Sequence, residues 1–249
     1  MKILTLVFSL CLLLAAAKSE AGFGFDPNIV ETSAKPGVPH TGSISIRNSS
    51  DRSLDVRVQV ENWLKRRVQD SELVDIEPDE WLSIPSSFSI GANETKEVEY
   101  EINLPADLEG QLVAMAFFSE APDDSGGVTI RTRYGVCIYA AAKGTEELHV
   151  DLGSPRVFEG KRFRITLTNQ GNVHLRPEGK VIATDGNGNT YEARLRAGSP
   201  VHPGQDHSYL AVFDDYLPEG DYIAQAVISY GRIYGRDYKV KSEAVEFTR

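Results

Sequence analysis

The sequence predicts an all-β fold of two tandem β-sandwiches behind an N-terminal signal peptide. Three observations carry this reading. Short runs of alternating apolar and polar residues dominate the 249-residue chain, and no segment after the N-terminus keeps a helical period. Gly, Pro, Asn and Asp separate those runs at regular intervals, the spacing of a sandwich. The pattern also recurs. Ile46-Arg-Asn-Ser-Ser-Asp-Arg-Ser-Leu54 is echoed by Leu167-Thr-Asn-Gln-Gly-Asn-Val-His-Leu175, so Asn48 matches Asn169 at an offset of 169 − 48 = 121. A Leu-Pro turn leads into an apolar strand at both Leu104 and Leu217. Two similar modules explain this better than one large fold.

The N-terminus sets the expected compartment. Met1-Lys2 is followed by an almost wholly apolar run, Ile3 to Ala17. That is the length of a signal-peptide core and short of the ~20 residues of a membrane span. Ser19 and Ala21 fit a small-x-small cleavage site with Gly22 as the mature start; Ala15 and Ala17 offer an alternative. Cys11 lies inside the apolar run, which argues against a lipoprotein. Residues 1–21 are therefore expected to direct export to the periplasm or beyond. No later segment reaches the ~18 apolar residues of a spanning helix, so no stable membrane insertion is expected.

The first module is expected over 22–143. Its strands are Asn28–Ala34, Ser43–Arg47, Leu54–Val60, Trp81–Ile84, Ser86–Ile90, Glu97–Leu104, Gln111–Ser119 and a long final strand, Val128–Ala140. Leu54, Val56, Val58 and Val60 alternate with Asp55, Arg57 and Gln59, the pattern of a strand with one face in a core. Lys65–Pro78 is highly charged and reads as a solvated loop or a binding loop. The second module, 144–249, has seven expected strands: Glu147–Leu152, Arg162–Asn169, Gly179–Asp185, Thr190–Arg196, His207–Phe213, Asp221–Ser229 and Tyr238–Phe247. Trp63 and Trp81 are expected as core anchors. Tyr134, Tyr139, Tyr230 and Tyr234 read equally as sandwich core or as a surface between modules.

The strand from Val128 is the strongest functional clue. Val128, Ile130, Thr132, Tyr134, Val136 and Ile138 share one parity, opposite Arg131, Arg133, Gly135, Cys137 and Tyr139. At ~3.3 Å per residue its thirteen positions span about 43 Å, long for a sandwich strand. Such an edge invites another strand. It is equally readable as a strand paired within its own sheet, with Arg131 and Arg133 guarding the edge.

Other chemistry finds little footing. A formal charge of −10 excludes a phosphate-neutralising surface, so no nucleic-acid partner is expected. His202 and His207 lie close in a Pro-Gly turn without Cys or acid at ligand spacing. Asp185-Gly-Asn-Gly-Asn-Thr begins like a calcium loop, but Thr190 stands where Gly is needed and Arg196 where a bidentate Glu is needed, so a hairpin turn is expected. No nucleophile elbow or phosphate loop is present. A non-enzyme without cofactor or metal is the expectation. Cys137 reads as a small buried hydrophobe.

Pro36-Gly37, Ile44-Ser-Ile-Arg-Asn-Ser-Ser50, Trp81-Leu-Ser-Ile-Pro85, Glu97 to Leu104-Pro105 and the two-module plan with a long last strand together resemble the PapD-like periplasmic chaperone superfamily, which includes the chaperones of pilus assembly. The resemblance implies two immunoglobulin-like sandwiches set at an angle. It also implies that Val128, Ile130, Thr132, Tyr134, Val136 and Ile138 form a donor face, with Arg131 and Arg133 as possible charged contacts. Donation of this kind uses main-chain hydrogen bonds for affinity and alternating side chains for pockets. Family pilus chaperones clamp a subunit's terminal carboxylate with an Arg in the first strand and a Lys in the donor strand. Here Asn28–Ala34 has no Arg, and Gly135 stands where the Lys is expected. The expected function is a chaperone-like assembly factor for protein subunits of the cell envelope or pili. The alternative is a structural or adhesive envelope protein of tandem sandwich modules.

Overall fold

The computed structural model describes residues 22–63, 76–121, 132–158, 162–196, 198–213 and 217–249. The expected signal peptide, most of the charged loop 65–78, the turn 122–127 and residues Val128, Ile130 and Arg131 of the long strand lie outside the described residues.

Alternation builds the first sandwich. One sheet runs in the order β1 (Phe23–Asp26), β3 (His40–Asn48), β7 (Thr95–Ile102), β5 (Leu82–Ser83). The facing sheet runs β2 (Ile29–Ala34), β9 (Arg133–Ala142), β8 (Gln111–Glu120), β4 (Leu54–Asn62), β6 (Ser87–Ile90). Period-two side chains from both sheets meet between them: Ile44 and Ile46, Val98 and Ile102, Val56 and Val58, Ala114 and Phe118, Val136 and Ile138. Trp81 fills the same core. Burying apolar surface between two sheets is what makes an alternating sequence choose this arrangement.

The second sandwich is one continuous sheet, β10 (Val150–Leu152), β12 (Arg162–Asn169), β15 (Asp206–Phe213), β14 (Thr190–Leu195), β13 (Glu178–Asp185), β16 (Asp221–Tyr230), β17 (Tyr238–Lys241). Two short strands complete it. β11 (Arg156–Phe158) pairs with β12, and β18 (Val245–Thr248) pairs with β16. Its core gathers Phe163, Ile165, Val181, Ala193, Ala211, Ala224 and Ala226.

Most expected strands are present with ends moved by a few residues. β1 and β11 were not expected; each is four residues or fewer, too short for a period to show. The strand expected over Tyr238–Phe247 is two strands. Ser242 interrupts it: its hydroxyl accepts from the Ala226 N–H at 3.0 Å and donates to the Glu243 carbonyl at 2.8 Å, so β17 and β18 pair with opposite ends of β16.

The repeat has a structural cause. Asn48 is fully buried; its Nδ2 donates to the carbonyls of Arg52 (2.8 Å) and Gly91 (2.9 Å), and its Oδ1 accepts from the Ser50 N–H (2.9 Å). Asn169 does the same with Val173 (2.7 Å), Val201 (2.9 Å) and the Gly171 N–H (2.9 Å). In each module one amide side chain satisfies the buried backbone of the turn after a central strand. Leu104 and Leu217, before the two Pro turns, are both buried.

Candidate partner-binding edge

β9 is flanked unequally. On one side β8 pairs with it from Ser119↔Arg133 to Gln111↔Ala141. On the other, β2 runs parallel to it only from Ile29↔Cys137 to Ala34↔Ala142. The chain just before β2 is β1, which pairs with β3 in the opposite sheet, Phe23↔Asn48 to Asp26↔Ser45. This change of sheet leaves Arg133–Val136 without a strand on the β2 side among the described residues. The open main chain is thus short and lies at the start of β9.

The expected donor residues fall into different surroundings. Thr132 is exposed. Tyr134 is half-buried and packs edge-on against Phe23, with ring centroids 5.7 Å apart, and beside Phe25 at 5.9 Å. Val136 and Ile138 are 0% exposed and belong to the sandwich core. Their place on a donor face, which the resemblance implied, is therefore corrected: both side chains lie in the protein's own core. Ile138 is also paired on both sides, with Val30 and Ala114.

The opposite parity forms an outer face. Arg133 donates to Glu61 at 2.7 Å and lays its guanidinium 3.8 Å from the centre of the Phe117 ring. Gly135 is exposed, yet a Cβ there would stand 2.8 Å from the Met115 sulfur and 3.2 Å from Phe117 Cε1. A side chain at this position requires the flexible Met115 side chain to shift. Further along, Cys137 is buried with Val113 and Tyr139, against Trp63 and Met115. Trp63 is accordingly an outer-face residue, whereas Trp81 is a core anchor.

Beyond Cys137 this outer face meets the second sandwich. His174 stacks on Tyr139 with ring centroids 3.9 Å apart. Its Nε2 lies 2.8 Å from Glu31 Oε1, and its Nδ1 lies 2.8 Å from Gln111 Oε1 and 3.0 Å from the Tyr234 hydroxyl. The His174 backbone N–H donates to the same Gln111 oxygen at 3.0 Å. Arg176 also donates to Glu31. Burial raises the Glu31 carboxyl, but the bonds and charges of His174 and Arg176 outweigh it and hold it below its ordinary value. Burial pushes His174 below its ordinary value against the pull of Glu31. Sequence reading did not single out His174, Glu31 or Gln111, because the partners are 143 and 63 residues apart. Tyr139 and Tyr234 do lie between the modules, as one of the two readings had it.

The remaining candidates resolve locally. Asp185 closes the β13–β14 hairpin by accepting from the N–H groups of Asn187 (2.9 Å) and Asn189 (2.8 Å) and from the Asn189 side chain, which holds its carboxyl below the ordinary value. His202 is buried and its ring stacks toward Tyr139 at 5.9 Å, while His207 packs on Tyr209 at 4.6 Å. No group of three or more metal-ligating side chains is assembled among the described residues. No helix among them is long and apolar enough to cross a membrane.

No protein-family model matches the sequence, and no curated protein matches it. Solved structures do match by shape. The YadV chaperone aligns over 90% of this chain and 100% of its own, with a TM-score of 0.51 at 10% identity. The class 5 fimbriae chaperone CfaA aligns over 92% of this chain and 99% of its own, at TM-score 0.49 and 13% identity. The E. coli chaperone DraB aligns over 91% and 97%, at TM-score 0.46 and 12% identity. In fold, then, this chain is similar to the YadV chaperone: two immunoglobulin-like sandwiches in tandem.

Proposed function

We propose that this protein is an exported, non-enzymatic, chaperone-like assembly factor that binds protein subunits of the cell envelope or pili by strand pairing at the start of β9. The observation that carries the reading is the main-chain edge of Arg133–Val136, which has no strand on its β2 side among the described residues because the chain passes there from β1 to β2. An unpaired strand edge is a template for an extended segment of another chain, with main-chain hydrogen bonds supplying affinity. The similarly folded YadV is itself a chaperone, which favours a protein client. Thr132 and Tyr134, with Val128 and Ile130 ahead of them, supply side chains to such a client. Val136 contributes its backbone, and Ile138 contributes to the core that holds the strand straight. Without a lysine at Gly135, the client is held by backbone pairing and apolar contact.

The test is affinity capture from the periplasm followed by hydrogen exchange on the isolated complex. Amides of Arg133–Val136 exchange more slowly with client bound, and a Thr132→Lys, Tyr134→Lys variant with an unchanged circular dichroism spectrum loses the client. Undiminished capture by that variant, or unprotected amides at 133–136 in the complex, overturns the reading.

A further inference from the structure

The contacts between the two sandwiches include an apolar cluster of Ala141 with Leu148, Val173 and Leu175 and, beside it, a group of ionisable side chains. Glu31, at the middle of β2, is the shared acceptor for His174 Nε2 and Arg176 Nε of the second sandwich. Its side chain is 23% exposed and that of His174 1%. A second bond crosses nearby: Ser33 Oγ donates to Glu146 Oε1 at 2.5 Å, and Arg236 donates to the Glu146 carbonyl at 2.9 Å. Gln111, 1% exposed, spends its Oε1 on His174, while its Nε2 is buried with no hydrogen-bond partner. The groups facing His174 are Glu31 from β2, Gln111 from β8, Tyr139 from β9, Tyr234 from the turn after β16 and Arg176 from its own loop.

We infer that Glu31, His174 and Arg176 form a proton-sensitive latch that sets the angle between the two sandwiches and that acid releases. Glu31, Glu146 and His174 all titrate below their ordinary values when docked. The docked form therefore binds fewer protons than the separated one, and docking weakens as pH falls. The change begins below the ordinary histidine value near 6.5 and continues below the ordinary carboxyl value near 4.5. Tyr139 and Tyr234 are pushed far above the tyrosine range by burial and stay neutral throughout. The inference concerns the joint alone and holds whatever β9 binds.

Small-angle X-ray scattering of the purified full chain at pH 7.5 and at about pH 3.5, below the ordinary carboxyl value, tests it. The wild-type profile changes between the two, with far-ultraviolet circular dichroism unchanged. Glu31→Gln already shows the acid profile at pH 7.5 and loses the pH response. Glu120→Gln, which removes the exposed partner of Arg52 within the first sandwich, behaves as wild type. Arg176→Gln repeats the measurement without touching β2 should Glu31→Gln fail to fold. A pH-independent wild-type profile, or a wild-type response in both Glu31→Gln and Arg176→Gln, overturns the latch.

Discussion

At the scale of single residues, the buried amides Asn48 and Asn169 carry the most structural weight for their size. Each satisfies two carbonyls and one N–H, and the two carbonyl bonds of Asn169 are buried. Asn169→Ala strands those groups, and a buried unsatisfied group costs roughly 1–3 kcal/mol. The expected loss is about 3 kcal/mol, read from the denaturant midpoint of the second sandwich; a loss below about 1 kcal/mol refutes the assignment. The correspondence of the two residues was legible in sequence because the turn they tie follows them directly. Cys137 was equally legible as a buried small hydrophobe. Its thiol should react with a disulfide reagent only after denaturant is added, and prompt reaction in the native protein contradicts its burial. His174 was not legible, since a lone histidine in a loop shows nothing of the strand residue it meets 143 positions away.

At the scale of elements, β9 shows where pattern reading stops. Its alternation was plain, and so was its strand character. Whether its apolar parity met a partner or its own sheet stayed open, because both faces of its second half are covered: one by its own core, the other by Val113, Trp63 and the second sandwich. A strand buried on both sides keeps no polar parity to mark the solvent. The central neighbour β8 behaves alike, and Phe118 is among its fully buried side chains, touching Phe25 and Phe88. Phe118→Ala should destabilise the first sandwich by about 3–5 kcal/mol in urea unfolding. A much smaller loss would mean that the core beneath the open edge collapses around the deletion. The strands missed outright, β1 and β11, are too short to declare a period, and they exist because neighbouring strands offer them ladders.

At the scale of the whole molecule, two sandwiches pack against each other at a joint. Gly110 illustrates how tight it is. Its φ of +83° belongs to the left-handed region, and a Cβ would stand 2.7 Å from the Asn172 carbonyl of the second sandwich. Gly110→Ala should lower stability by about 1–3 kcal/mol through strain and clash, and should shift the scattering profile as the modules move apart to relieve the clash. An unchanged profile and midpoint would show that the joint yields locally.

Composition and period by themselves determined that this is an all-β protein, that it consists of two repeated modules and that a long strand ends the first. Those properties are local: alternation, turn residues and an asparagine before a turn act over a few positions. Tertiary structure alone decided which half of β9 is open, that Gly135 lies against Met115 and Phe117, and that Glu31, His174 and Arg176 meet. Each depends on groups brought together from distant positions by sheet pairing and domain docking, and no local period encodes that distance.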